Sequence, residues 1–243
     1  MSLPLIFPTW HAPANVHAFQ TTRTGGLSVA PYDSLNLGDH VGDNPLSVVQ
    51  NRMLLNQMLP SEPVWLEQVH GIAVVDAGMA TCRPRADASV ARRGGAVCVV
   101  MTADCLPLLL CDRQGTVVAA VHAGWRGLAD GVIEATVAVM GVAPQDVQVW
   151  LGAAIGATAF EVGEEVRAVF VAQDPLAAMA FVPSATPGKY LADLYALARL
   201  RLNALGITAI SGGDLCTYRD SARFFSYRRE GVTGRMGAFI WLD

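Results

Sequence analysis

Short apolar runs alternate along the chain with amphipathic segments, and the spacing of each predicts the element it forms. Residues 16–22 read as a strand that enters a long loop, TRTGGLSVAPYDSLNLGDHVGDNP, carrying four glycines and two prolines. At its end Asp43 or Asn44 can cap a helix and Pro45 suits the first turn. Val48, Leu55 and Leu59 then share one face, which predicts a helix over 45–59. Strands are expected near 64–66, 72–75, 86–90, 96–102, 106–111 and 117–121. Several are apolar at every position, as strands covered on both faces are. A helix over 128–140 should stop at Gly141 and Pro144. A strand at 147–151, helices over 164–172 and 192–205, and a closing strand pair near 207–211 and 237–242 complete the pattern. The alternation predicts an α/β fold of layered mixed sheets flanked by helices. With no linker, repeat or low-complexity run, residues 1–243 are expected to form a single domain.

Composition narrows the class. With 52% hydrophobic and 16% charged residues the chain is outside the disordered range. Its apolar runs are far shorter than the roughly 20 residues a membrane span needs. The opening MSLPLIFPTW lacks the basic start of a secretory signal, so a cytoplasmic protein is expected. Five cysteines (Cys82, Cys98, Cys105, Cys111, Cys216) form no CxxC pair and are expected as free thiols. The net charge of −4 argues against nucleic acid or anionic membrane as a partner. Lys189 is the one lysine beside 16 arginines, which favours fork-like binding of phosphate or carboxylate over amine chemistry. Residues 219–235 hold five arginines against two acids, with Phe224, Phe225 and Tyr227 between them. A strand pair carrying arginines into an anion pocket suits this strip better than an RNA surface.

Three segments concentrate reactive groups: LEQVHG with His70, TADCLP with Cys105, and VHAGWRG with His122. All three are expected at strand ends, and a short antiparallel connection would bring Cys105 and His122 to one rim of a sheet. One Cys and two His can form the three-ligand set of a catalytic zinc, whose open position lowers the pKa of bound water to about 7. Two other readings stand beside it. The histidines could cap strands around a small buried cysteine, or His122 could activate Cys105 as a nucleophile with His70 or Asp104 orienting the ring. His11, His17 and His40 have no comparable neighbours and read as surface or capping residues. After His122, Gly124 and Gly127 permit close backbone approach. Arg126 near a helix start suits an anion site, or else Trp125 packs and Arg126 pairs with an acid. LGAAIGATAFEVGEEV is not a dinucleotide fingerprint and reads as a turn into the helix at Glu164.

TTRTGG, SLNLGDHVGD, LEQVHG, ADAS, MTADCLPLLL, VHAGWRGL, FEVGEEV and CTYRDSARFFSYRREGVTGRM together resemble, in order from Thr21 to Trp241, the bacterial laccase-domain family. That family is also called YfiH or peptidoglycan editing factor, and was formerly described as polyphenol oxidases. The resemblance implies the YfiH-like cysteine-hydrolase fold and a metal, usually zinc, held by the positions of His70, Cys105 and His122, with copper as the other candidate. It implies phosphorolysis of adenosine, inosine and methylthioadenosine and deamination of adenosine, or else hydrolysis of a wrong amino acid from a UDP-muramoyl precursor. The chain departs from the family pattern GPAIGP at residues 152–157, where it reads GAAIGA and loses two prolines.

For these reactions Arg23, Arg126, Arg228 and Arg229 are the phosphate candidates, with Asn36 and Gln68 as further substrate contacts. Asp104 and Glu67 are the acid/base candidates, although strand alternation turns Asp104 away from Cys105. The long loop after Arg23 is expected to wall the site. A copper polyphenol oxidase fits poorly, because five histidines without an HxH pattern do not build clustered copper centres. Small molecules, a nucleoside and phosphate, are the expected partners.

Overall fold

The computed structural model describes residues 3–80 and 83–243; the opening Met1 and Ser2 and the expected thiol of Cys82 lie outside the described residues. In chain order the first half comprises β1 (Leu5–Ile6), β2 (Val16–Thr21), α1 (Pro45–Asn56), β3 (Val74–Asp76), β4 (Ala88–Ala91), β5 (Cys98–Thr102), β6 (Leu106–Asp112) and β7 (Val118–Ala123). The second half comprises α2 (Trp125–Asp130), α3 (Val132–Met140), β8 (Val147–Leu151), β9 (Glu161–Gly163) and α4 (Glu164–Gln173). There follow β10 (Phe181–Pro183), β11 (Lys189–Ala192), α5 (Leu194–Ala204), β12 (Ala209–Gly212), α6 (Tyr227–Glu230) and β13 (Met236–Leu242).

Two sheets stack at the centre, one of order β12-β8-β6-β7-β4-β3 and one of order β1-β2-β13-β5. Alternation along β6 shows how the layers form. Leu106, Leu108 and Leu110 pack with residues of α2, α3 and α5, while Leu109 and Cys111 join Val100, Ala238 and Ile240 of the second sheet. Every residue of β6 is therefore buried, which is why its sequence shows no polar face. The far side of the second sheet, through Phe19, Val99, Phe239 and Trp241, packs on Leu55 of α1 and on Leu35 and Leu37 of the long loop. The result is a mixed α/β fold layered helix, sheet, sheet, helix-plus-loop, with β9, β10 and β11 as a small third sheet.

Several expected elements differ for identifiable reasons. The helix expected over 128–140 starts at Trp125 and breaks at Gly131, whose φ of 101° ends α2 before α3 begins. The segment 64–66 forms only an isolated bridge, Val64 to Cys98. The closing strands do not pair: β12 runs parallel to β8, whereas β13 lies between β2 and β5 in the other sheet. The arginine-rich strip is turns and the short α6 up to Arg235, not a strand pair. Asn44 caps α1 as expected, its side chain accepting from the Leu46 N–H, and α1 ends at Asn56, short of Leu59.

Candidate functional site

β6 and β7 pair antiparallel with Pro107 opposite His122, which brings Cys105, just before β6, beside His122 near the end of β7. Residues 103–105 carry the chain from β5 in one sheet to β6 in the other, so Cys105 sits where the two sheets meet. Asp104 has φ 94° there, a strained value for a non-glycine residue. Three hydrogen bonds hold this buried residue: Oδ1 accepts from Thr217 Oγ1 at 2.6 Å, Oδ2 from the Arg228 N–H at 2.7 Å, and its carbonyl from the Ile155 N–H at 2.9 Å. With both oxygens committed, Asp104 anchors the link that presents Cys105, where the sequence suggested proton transfer.

His70 lies in a loop rather than at a strand end, with φ 59°. Buried Asp87, one residue before β4, sets this loop. It accepts from the N–H groups of Val69 (3.2 Å), His70 (2.9 Å) and Gly71 (2.7 Å), and meets His122 Nδ1 at 2.8 Å. Occupation of Nδ1 leaves Nε2 of His122 for the cavity. Gln68 clamps the same loop to β5, its amide exchanging hydrogen bonds with both backbone groups of Met101 at 2.7 and 2.8 Å.

His70 Nε2 stands 3.8 Å from Cys105 Sγ, and one donor atom from each of His70, Cys105 and His122 lies within 4.8 Å of the others. Among the described residues this is the single group of three such donors. Tetrahedral zinc with ordinary bond lengths holds sulfur and nitrogen about 3.6 Å apart, so two imidazole nitrogens and a thiolate at this spacing fit the ion. Gly124 makes the approach possible: a Cβ there would lie 2.7 Å from His70 Cδ2 and 3.1 Å from Cys105 Sγ. Burial pushes the Cys105 thiol up, but the charge and hydrogen bond of His122, followed by those of His70, outweigh it and bring it down to about 6. Burial likewise opposes charge on His122, while Cys105 and Asp87 raise it above the ordinary histidine value.

The donors open into a cavity of about 400 Å³, within the usual range for small-molecule sites. Its wall includes Gln68, Met101, His40, Tyr227 and Arg235. Of the substrate contacts expected from sequence, only Gln68 borders it. Arg23 pairs with Glu230 at 2.8 Å and lies over the Phe225 ring, beside a separate cavity with Asp33 and Ser221. The Asn36 amide is used by Gly38, Asp43 and the Arg235 N–H. Arg126 is exposed over Trp125. Arg228 donates to the Glu161 carbonyl, and Arg229 to the carbonyls of Thr217, Tyr218 and Phe224. Glu67 is exposed and pairs loosely with Arg85 at 3.4 Å.

Asp87, Arg235, Tyr227 and His40 escaped the sequence reading as site residues. Asp87 was visible only as part of ADAS and Arg235 only as one of five arginines in the basic strip, while His40 read as a surface residue. The lost prolines at 152–157 have a local reason at residue 153, where the Ala153 N–H donates to Gln20 Oε1 at 2.8 Å, a bond proline cannot make.

Stacked sheets with a three-donor group that could hold a metal ion where they meet, opening into a cavity of small-molecule size, define the class of this α/β protein. The match to the family described as multi-copper polyphenol oxidoreductase laccase runs over residues 17–243. The chain belongs to this laccase-domain, or YfiH, family. A purine nucleoside phosphorylase of Pseudomonas aeruginosa is 57% identical over 236 residues, 97% of each chain. The purine nucleoside phosphorylase YfiH of Escherichia coli is 55% identical over 98% of both. Among solved structures, a Neisseria meningitidis protein superposes with a TM-score of 0.95 at 52% identity, covering 98% of this chain and 99% of that one. Bacillus licheniformis YfiH follows the same fold with a TM-score of 0.85 at 30% identity, covering 94% and 93%. Among the described residues no helix is long and apolar enough to cross a membrane.

Proposed function

We propose that the protein is a zinc-dependent purine nucleoside phosphorylase of the cytoplasm, acting on adenosine, inosine and methylthioadenosine and also deaminating adenosine. The observation that carries this reading is the convergence of His70, Cys105 and His122 donors within 4.8 Å at a cavity of nucleoside size, in a chain whose relatives bear the phosphorylase name. His70, Cys105 and His122 would hold the zinc ion, which would supply Lewis acidity to the substrate. Copper is the other metal that the same donors accept.

In phosphorolysis a phosphate oxygen bonds to C1′ as the bond from C1′ to the purine nitrogen breaks. The purine leaves with the bonding pair, and a proton given up by phosphate ends on the base. The chain's part is positional. Asp87 holds His122 in one tautomer and fixes the backbone of His70, Gln68 ties that loop to β5, and Asp104 sets the turn that presents Cys105.

A test combines metal analysis with release of hypoxanthine from inosine. One zinc per chain, dependence on added phosphate, and turnover lost on chelation and restored by zinc are expected. Cleavage that ignores phosphate would overturn the reading.

A second reading has a specific observation in its favour: a Cys105 thiol brought to about 6, next to a His122 that Asp87 orients. In a cysteine hydrolase the thiolate would bond to a substrate carbonyl, the amine would leave with a proton from His122, and water would split the thioester. Removal of a wrong amino acid from a UDP-muramoyl precursor is such a reaction. Full turnover by metal-free protein, destroyed by iodoacetamide, would select it.

A further inference from the structure

We propose that Arg235, with His40 beside it, forms the subsite for an inorganic phosphate ion next to the three donors. This inference rests on the phosphorylase reading and names the residues that receive its second substrate.

Arg235 is held from both sides of its backbone. Its N–H donates to Asn36 Oδ1 at 2.9 Å and its carbonyl accepts from the Leu37 N–H at 3.1 Å. Gly38 leaves room for the side chain, since a Cβ there would lie 2.8 Å from Arg235 Cγ. The guanidinium borders the cavity that His70, Cys105 and His122 also line, and it is the one arginine to do so. Its side-chain hydrogen bonds among the described residues both come from Nη1, to the carbonyls of Thr233 (2.9 Å) and Gly234 (3.0 Å). No carboxylate of the described residues lies within 4 Å of it.

Four arginines elsewhere in the fold are paired with carboxylates. Arg23 and Arg229 share Glu230, Arg223 takes Asp220, and Arg201 takes Glu134. Asp39, on the same rim as His40, is taken by Arg83 at 2.9 Å. A largely buried guanidinium with no carboxylate paired to it is costly, and the cost falls when an anion enters the space it faces. Free Nε and Nη2 present the fork that matches two oxygens of a tetrahedral oxyanion. His40, which lines the same cavity, can add one N–H donor. An anion so placed stands beside the donors, where phosphorolysis requires it.

The same fork could take a phosphoryl group of a larger substrate, so inorganic phosphate and uridine diphosphate are titrated separately by calorimetry into zinc-loaded wild type, Arg235→Ala, Arg235→Lys and the distant control Arg113→Ala. The phosphate KM with inosine is measured in parallel. Arg235→Ala is expected to raise both phosphate Kd and phosphate KM at least about ten-fold, as loss of charge-assisted bonds does. Zinc content and inosine KM should stay unchanged, and Arg113→Ala should behave as wild type. If Arg235→Ala melts early or loses zinc, Arg235→Lys decides, with a rise of about three-fold or more from loss of the fork.

A phosphate Kd within about two-fold of wild type in both variants would overturn the subsite. So would failure of wild type to bind phosphate, or preferential binding of uridine diphosphate that Arg235→Ala abolishes. Phosphorolysis with an unchanged phosphate KM in the variants sinks this inference alone. Arg235-dependent phosphate binding without any nucleoside cleavage sinks the phosphorylase reading and leaves the subsite standing.

Discussion

One carboxylate oxygen of Asp87 stands 2.8 Å from His122 Nδ1 and 2.9 Å from the backbone nitrogen of His70, so a single buried side chain aims two of the three donors. Asp87→Asn keeps the size but loses the charge that fixes the His122 tautomer. It is expected to weaken zinc binding about 10–100-fold, measured by chelator competition. Asp87→Ala also strands the N–H groups of residues 69–71 and should cost about 2–4 kcal/mol in thermal unfolding. Unchanged zinc affinity in Asp87→Asn would remove the residue from this role.

Gly124→Ala tests how closely β7 and the His70 loop must approach. The added methyl would lie 2.7 Å from His70 Cδ2, so His70 must move while the strands beneath remain paired. Loss of zinc by about ten-fold or more, with far-UV circular dichroism like wild type, is expected. A variant that binds zinc normally would show that the loop gives way freely.

Cys105 should be the reactive thiol of metal-free protein. Its alkylation by iodoacetamide follows the thiolate, so the rate should rise with pH to a half-maximum near 6 and then level. Cys98 and Cys111, both pushed up to about 12 by burial, should stay unmodified at neutral pH. Zinc should protect Cys105, and His122→Ala should move the midpoint upward. Peptide mass spectrometry reads all four outcomes, and a wild-type midpoint above about 8 would contradict the two-imidazole environment.

Asp112 closes the turn between β6 and β7, accepting from Thr116 N (2.7 Å), Thr116 Oγ1 (2.7 Å) and Val117 N (3.0 Å). Burial pushes its carboxyl up, but these bonds outweigh it and hold it below the usual carboxylate range. A depressed folded-state value means stability that is present above the unfolded-state value and is lost as pH falls through the folded one. Asp112→Asn should therefore unfold about 1–3 kcal/mol more easily at neutral pH. The gap should close in acid, as denaturant titrations at several pH values would record. A constant gap would mean that shape rather than charge sets the turn.

Much of the framework was legible in the residues. The unbroken apolar run of β6 announced burial on both faces, and the short link to β7 announced an antiparallel pair with Cys105 and His122 on one rim. Asn44 and Pro45 marked the start of α1, and Gly206 the end of α5. Element type and buried face follow from neighbours a few residues apart, which is the range over which periodicity and capping act.

What lay beyond that range was decided by tertiary structure. β12 and β13 are both good strands, and packing alone assigned them to different sheets. His70 is aimed by Asp87, 17 residues further on, through a loop that shows no period of its own. Arg235 borders the cavity because Asn36 and Leu37, about 200 residues earlier, hold its backbone, while Asp39 on the same rim pairs with Arg83. Local period and residue type were enough to nominate the metal-ligating side chains and the faces to be buried. Which charge is left without a partner depends on every other charge within reach, and only the folded chain brings those together.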